Sequence, residues 1–399
     1  MARTMPHAMQ RQIFNPRPVV LPDGKVRREP TRPFAHRPPG FEEEFDYRTL
    51  LFDSFFCGED QVLVTAPPFL NLLVFVEKME VTALPSGQKC TFRIRNADRH
   101  SQLRIAVPAG TQKLRLGSVM GDFELEPHRE GSGFFAGKRV LFTKSKNNRF
   151  EWIRDWIRYH RDIHGADAVL IYDNNSTDYA MPALCDALNE VTGIDRLCVV
   201  NWPFPFGPQG IGSTGFWDSD FCEHAMLEHG RWMFLQQARS VLATDVDELV
   251  LSKDGSSVFE AAERSPLGVV RFQGHWVHGF EGQTRVARND APVRVVDFDH
   301  YLRHLPGRRL GVLPARENVC PSKWAVVPRR CPERAQWTSH RIKGWINTLP
   351  VSRDFSFRHF REISTHWKYD RSARVVLDPN LYVRDELMRA NYSAVQWTS

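Results

Sequence analysis

Ala168-Val169-Leu170-Ile171-Tyr172 runs straight into Asp173-Asn174-Asn175-Ser176-Thr177-Asp178. Five apolar or aromatic residues followed by six loop-forming ones read as a short strand that ends abruptly. Working outward, residues 139–143 form a second apolar strand. Between them, residues 150–164 place Ile153, Trp156, Ile157, His160 and Ile163 at helical spacing. Downstream, 182–191 is helical, 197–202 a strand, 220–239 a long helical stretch and 241–244 a strand. Strands alternating with helices predict βαβ units and a mostly parallel sheet. In such sheets ligands bind beyond the carboxyl ends of the strands, so the residues just after each strand are the candidates.

Two such segments carry chemistry. Asp173, Asn174 and Asp178 follow the strand at 168–172. A carboxylate there either accepts from the hydroxyls or base of a nucleoside, or closes a helix-capping turn, since Ser, Thr, Asp and Asn all cap helix starts. Thr244-Asp245-Val246-Asp247-Glu248-Leu249 follows the strand at 241–244. Read as extended chain, Asp245 and Asp247 share a face and Glu248 points the other way. Three acids in four residues repel unless a cation joins them, and hard oxygens suit Mn²⁺ or Mg²⁺. The alternative is a solvated acidic turn. Late in the chain, His366 precedes Lys368 and Arg371, a metal ligand beside two cations that suit a diphosphate. His340, also flanked by cations, is the alternative metal ligand, and His359 is a third late histidine. Residues 365–372 lie near the end of the chain, where a segment can fold back as a lid over a bound ligand.

Before residue 137 the pattern differs. Alternation in Phe92-Arg93-Ile94-Arg95, in 103–107 and in 114–116, broken by Pro85-Ser86-Gly87 and Pro108-Ala109-Gly110, predicts a small β-sandwich-like domain over 41–136. Residues 1–40, rich in Pro and Arg, read as an extended or partly disordered arm. The α/β domain is then 137–399.

Bulk composition narrows the classes. The chain has 399 residues, 42% apolar and 25% charged, with a formal net charge of +6. The positive charge is spread out, which disfavours nucleic acid and suits an anionic small ligand. No run reaches the roughly 18 apolar residues of a membrane span. The start has no apolar signal segment, so the expected location is cytoplasmic, with peripheral membrane attachment compatible. The seven cysteines have no zinc-knuckle spacing and read as free thiols.

The ordered series resembles the family 92-type and related family 2-type glycosyltransferases of the GT-A fold. Its parts are Lys144-Ser145-Lys146-Asn147-Asn148, Trp152-Ile153-Arg154-Asp155-Trp156-Ile157-Arg158-Tyr159-His160, the 172–178 loop, Thr244-Asp245-Val246-Asp247-Glu248-Leu249 and the His366 segment. The likeness covers about residues 139–372. Asn148 stands where the family has a Glu, and Trp367 where it has a Tyr. The resemblance implies a GT-A (Rossmann-like) catalytic domain, a UDP- or GDP-sugar donor, a glycan or polysaccharide acceptor and an inverting hexosyl transfer. By position, Lys146, Asn148, Asp173, Asn174, Asp178, Asp245, Lys368 and Arg371 would meet the donor. Asp245, Asp247 and His366 would hold Mn²⁺ or Mg²⁺.

An acceptor hydroxyl needs a general base. Glu281, Asp299 and Glu317 are the candidates carried forward, with Asp290 and Asp297 behind them. Gly274-His275-Trp276-Val277-His278-Gly279-Phe280-Glu281 is the densest aromatic and polar cluster and the candidate acceptor site, against a packed aromatic loop. Two rival functions remain: a carbohydrate-binding scaffold with an inactive transferase domain, and a metal-dependent nucleotidyl or phosphoryl transferase. The missing G-x-x-x-x-G-K-S/T disfavours a P-loop enzyme.

Overall fold

The computed structural model describes residues 9–24, 26–129, 131–208, 218–281, 293–309, 313–345, 350–363 and 374–397. Nine strands form the central sheet. In chain order they are β1 (Gln10–Phe14), β2 (Arg139–Ser145), β3 (Ala168–Asp173), β4 (Arg196–Asn201), β5 (Ser240–Ala243), β6 (Glu248–Ser252), β7 (Val269–Val277), β8 (Cys320–Val326) and β9 (Phe355–Phe360). Their spatial order is β1-β4-β3-β2-β5-β8-β7-β9-β6. The run from β1 to β5 is all parallel, as is β7 with β9. Strand β8 runs antiparallel to β5 and β7, and β6 antiparallel to β9. This is the mixed, mostly parallel α/β sheet that the alternation of strands and helices predicts.

Strands β2 to β5 are continuous apolar runs because both faces are covered. Leu141, Val169, Ile171, Leu197 and Val199 face one core with α1 (Phe150–His164), α2 (Met181–Leu188), α4 (Val258–Arg264) and α5 (Glu386–Ser393). The alternate residues Val140, Phe142, Leu170, Tyr172 and Val200 face a second core with α3 (Phe221–Met233), Trp324 and Trp337. Helix α3 lies so close to β2 that a Cβ on Gly230 would sit 2.6 Å from the Phe142 ring. Any larger residue there must push helix and sheet apart.

Two four-stranded antiparallel sheets precede this domain. One contains Asp53–Phe56, Gln61–Ala66, Ser101–Ala106 and Phe92–Asn96; the other Gly121–Leu125, Lys113–Ser118, Glu80–Leu84 and Lys89–Cys90. They enclose a separate core built from Val62, Val64, Leu103, Ile105, Val81, Leu114 and Leu116. Leu63 faces the opposite way and joins Phe52 and Phe55 in the second core of the central sheet. The sandwich is therefore fastened to the central α/β layer. The apolar run at 69–76 is not a strand: it forms a 3₁₀ turn and a short helix, Leu70–Leu72 and Leu73–Val76.

The Pro/Arg-rich start is built into the fold. Residues 10–14 add a parallel edge strand beside β4. Arg28 is fully buried and donates to the carbonyls of Pro68, Asp46 and Thr49 at 2.8, 2.6 and 2.6 Å. Arg32, also buried, pairs with Asp218 at 2.5 Å. All seven cysteines are free thiols. No helix among the described residues is long and apolar enough to cross a membrane.

A buried polar chain crosses between the layers. The Tyr172 hydroxyl is 2.5 Å from His229 Nδ1, and His229 Nε2 is 2.9 Å from Asp53 Oδ2. Asp53 also accepts the Arg17 N–H at 2.9 Å and faces His128 at 3.4 Å. Burial would raise the Asp53 carboxyl, but His128 and His229 hold it below its usual range. Tyr172→Phe removes one hydrogen bond in this chain and leaves a buried ring nitrogen unsatisfied. A loss of about 1–3 kcal/mol in urea unfolding is expected. An unchanged midpoint would show that the chain does not contribute to fastening the sandwich.

Candidate functional site

Strand β2 has β3 on one side and β5 on the other, so the connections leave it in opposite directions. Such a switch point opens a crevice at the carboxyl ends of β2 and β5. Three segments border it: residues 146–149 after β2, 174–180 after β3, and the turn 244–247 after β5.

The first two are laced together by Asn147. Its amide donates to Thr177 Oγ1 at 3.1 Å and accepts from Thr177 N–H at 2.7 Å, while its own N–H donates to Ser176 Oγ at 2.8 Å. Asn147 adopts φ 55°, a left-handed conformation that Asn tolerates. Asp173 is buried at the base of this loop. It accepts from Ser176 Oγ at 2.5 Å and Ser176 N–H at 3.0 Å. Burial pushes its carboxyl up, opposed by Ser176 and by the charge of Lys146. Asp173 therefore closes the loop on itself. It does not cap α2, whose N-cap is Ala180. Asn174 is buried and donates to the carbonyls of Trp202 and Phe204 at 2.8 and 2.9 Å. Asn148 donates to Ser145 Oγ at 3.0 Å, and Asp178 is exposed at the rim.

The third segment is not extended. Glu248 N–H donates to the Asp245 carbonyl at 3.0 Å, and Asp245 N–H donates back to Glu248 Oε2 at 2.9 Å. Asp245 and Asp247 are thus placed by a tight turn, and strand alternation does not apply to them. Glu248 is the inner hub. Pairing of β6 with β9 sets it opposite His359.

Cations surround the turn. Lys323 Nζ, from β8, is 2.6 Å from Asp245 Oδ2 and 2.9 Å from Glu248 Oε2. Lys144 Nζ, from β2, is 3.2 Å from Asp245 Oδ1 and 2.8 Å from Glu223 Oε1 of α3. His359 Nε2 is 3.1 Å from Asp247 Oδ2, and its Nδ1 is 3.3 Å from Glu248 Oε1. Burial would lower the His359 imidazole, but Asp247 leads the neighbours that hold it well above its ordinary range. Burial would raise the Asp245 carboxyl, but Lys144 and Lys323 hold it well below the usual carboxylate range. Among the described residues, Asp245, Asp247, Glu248 and Glu223 thus face Lys144, Lys323 and His359.

Sequence reasoning assigns no role to Lys144, Glu223 or Lys323 and names His359 only as a third late histidine. A lysine followed by Trp324, Ala325 and Val326 in a strand is the signal that was available for Lys323, because a charge there must find a partner. His340 is exposed and lies within electrostatic reach of Lys323, Glu248, Asp245 and Glu223. His366, Lys368, Arg371 and Asp290 lie outside the described residues, as does the whole candidate lid at 365–372.

The candidate bases sit elsewhere. Glu281 is exposed after the Phe280–Val375 bridge. Asp299 accepts from His300 at 2.7 Å, and Asp297 accepts from the Arg294 N–H at 2.8 Å. Glu317 is exposed at the end of a two-stranded ribbon. The aromatic cluster does approach the turn: the Trp276 ring lies 4.5 Å from His359. His278 and Tyr382 continue that wall, with the Tyr382 hydroxyl 3.3 Å from His278 Nδ1.

As the side chains stand, no group of three or more His, Cys, Asp or Glu among the described residues is arranged to hold a metal ion. The chemistry of the donors nevertheless suits one. The acids supply hard oxygens, and Asp245 and Asp247 keep 30% and 14% of their side-chain surface open.

No family model matches the chain, and no curated protein matches it. Among solved structures, it overlaps a galactosyltransferase, LgtC, crystallised with donor and acceptor sugar analogues. That match has 12% identity and a TM-score of 0.23, over 48% of this chain and 58% of LgtC. HddC from Yersinia pseudotuberculosis matches at 10% identity and TM-score 0.25, over 56% of this chain and 90% of HddC. The mannosyltransferase Ktr4p from S. cerevisiae matches at 10% and 0.21, over 38% and 41% of the two chains. Overlaps this low carry no argument about activity. The account of the fold rests on the strand order above.

Proposed function

We propose that this chain is a glycosyltransferase that moves a hexose from a UDP- or GDP-sugar to a hydroxyl of a glycan or polysaccharide, with inversion. The observation that carries the reading is the acid turn at the switch point. It places Asp245 and Asp247 beside Lys144, Lys323 and His359, where a ligand of an α/β sheet binds. That mixture of hard oxygens and cations fits a nucleoside diphosphate with Mn²⁺ or Mg²⁺. The cation would be held by Asp245 and Asp247, with an imidazole from His359, His366 or His340, and would neutralise the leaving diphosphate. Lys146, Asn148, Asp173, Asn174 and Asp178 line the neighbouring loops for the nucleoside, and Lys368 and Arg371 are assigned to the phosphates. Trp276 and its aromatic neighbours offer a surface for a sugar ring. Glu281, Asp299 and Glu317 remain the general-base candidates.

Thermal unfolding with UDP- and GDP-sugars, with and without Mn²⁺, tests the reading. A donor at about 100 Kd stabilises by about 2.7 kcal/mol. A rise in Tm that needs both donor and Mn²⁺, followed by release of nucleoside diphosphate when acceptor is added, is expected. Stabilisation by glycan alone would favour a binding scaffold. Release of pyrophosphate from a nucleoside triphosphate would favour a nucleotidyl transferase.

The loop after β3 gives a second test. Asp173→Ala is expected to weaken nucleoside diphosphate binding by about 1–3 kcal/mol in calorimetry. Ser176→Ala keeps the carboxylate and removes the hydroxyl bond to it, leaving the bond from the residue 176 N–H. If both variants bind alike and weakly, Asp173 acts by shaping the loop; if only Asp173→Ala is weak, the carboxylate meets the nucleoside. Unchanged affinity in Asp173→Ala would remove the loop from the donor site.

A further inference from the structure

In the described structure each oxygen of Asp245 already faces a cation. Lys144 is 3.2 Å from Oδ1 and Lys323 is 2.6 Å from Oδ2. Lys323 has only 3% of its side chain exposed and has Glu248 as a second partner at 2.9 Å. Lys144 keeps 25% of its side chain open and has Glu223 as its second partner at 2.8 Å. We propose that these two lysines are resident counter-ions of the acid turn, and that a divalent cation gains Asp245 only together with a nucleoside diphosphate. The inference rests on the proposed transferase reading and adds the order in which its ligands enter.

The argument is one of charge and burial. A metal ion arriving alone must draw Asp245 away from two ammonium groups. That leaves each lysine with one carboxylate instead of two in a partly closed site, Lys144 with Glu223 and Lys323 with Glu248, and a cation that loses a charged partner there is not repaid by water. The metal also meets a turn whose acids already face Lys144, Lys323 and His359. A diphosphate changes the balance. Its oxygens are strong acceptors for ammonium groups. Lys144, the more open of the pair, can turn from Asp245 toward the phosphate. Asp245 then faces the metal with one competitor fewer. Metal and nucleotide therefore strengthen each other, and linkage makes the effect reciprocal.

Binding of Mn²⁺ to the full chain, followed by the electron paramagnetic resonance of the free ion, tests this without any turnover. Titrations are run alone, with UDP and with GDP, and Mn²⁺ bound by nucleotide in protein-free controls is subtracted. The wild-type protein is expected to bind Mn²⁺ at least tenfold more tightly when one nucleotide is present. Lys144→Met is expected to bind Mn²⁺ at least tenfold more tightly than wild type with no nucleotide, and to gain less from adding it. Circular dichroism confirms folding, and Lys144→Gln repeats the measurement with a polar side chain. Wild-type coupling together with unchanged or weaker Mn²⁺ binding in both variants would overturn the lysine inference while leaving the metal-dependent reading standing. No Mn²⁺ binding by any form, with or without nucleotide, would overturn both.

Discussion

Asp247→Asn is expected to lower sugar transfer by about 10²–10³-fold while the protein stays folded. The proposed Lewis-acid cation is worth several kcal/mol of charge stabilisation, and each 1.36 kcal/mol is about tenfold in rate. The substitution keeps the shape of the side chain and removes its charge, so a cation loses one hard anionic ligand. The fold has little reason to fail. Asp247 lies in a turn, keeps 14% of its side chain open, and its backbone carbonyl still accepts the Phe360 N–H at 2.9 Å. His359 retains Glu248 at 3.3 Å. Steady-state kinetics, Mn²⁺-dependent donor binding and Tm are measured on the same preparation. Transfer within threefold of wild type by a folded Asp247→Asn protein would remove Asp247 from the site.

The elements were more legible than the site. Helix α1 could be read to the residue because Ile153, Trp156, Ile157 and His160 repeat at 3.6 residues, and all four are buried. Strands β2 to β5 are legible because burial on both faces makes them unbroken apolar runs. The acid turn was found for the same reason: it interrupts such a run. Its partners were not found. Lys323 and Asp245 are 78 residues apart, and Lys144 and Asp245 are 101 apart. Strand register alone brings them together, and no local pattern encodes it. The turn geometry was also missed. Only residues 244–247 separate β5 from β6, so the chain reverses there and Glu248 becomes the hub. The start of the chain misled for a different reason. Arg and Pro content suggests a solvated arm, but a guanidinium can be buried when carbonyls surround it, as they do at Arg28.

Acid is expected to unfold this protein through two histidines of α1, by about 5 kcal/mol between pH 6.5 and 4.5. Each ring is fixed in one neutral tautomer by its two partners. Val250 N–H donates to His160 Nε2 at 3.3 Å, so Nδ1–H donates to the Trp156 carbonyl at 2.8 Å. Val258 N–H donates to His164 Nδ1 at 3.2 Å, so Nε2–H donates to the Val250 carbonyl at 2.7 Å. A second proton on either ring would set N–H against N–H in a buried site. Burial accordingly pushes His160 down to about 3, with the neighbouring His164 ring adding to it, and pushes His164 down to about 4. An unfolded histidine titrates near about 6.5, so below that pH the unfolded chain binds protons that the folded chain refuses. The stabilisation is complete above pH 6.5 and falls as pH drops toward 4. Two groups over two pH units at about 1.36 kcal/mol each give the figure of about 5 kcal/mol. That is comparable to the whole stability of many domains. Both rings clasp Val250, two residues beyond Glu248, so the strand that carries the acid turn is released as they charge. Urea unfolding between pH 4.5 and 7.5, on wild type and on the His160→Gln/His164→Gln double variant, measures the effect. The variant is expected to be weaker at pH 7.5 and to take up about two fewer protons on unfolding at pH 5. An equal pH slope in the two proteins would place the acid sensitivity elsewhere in the fold.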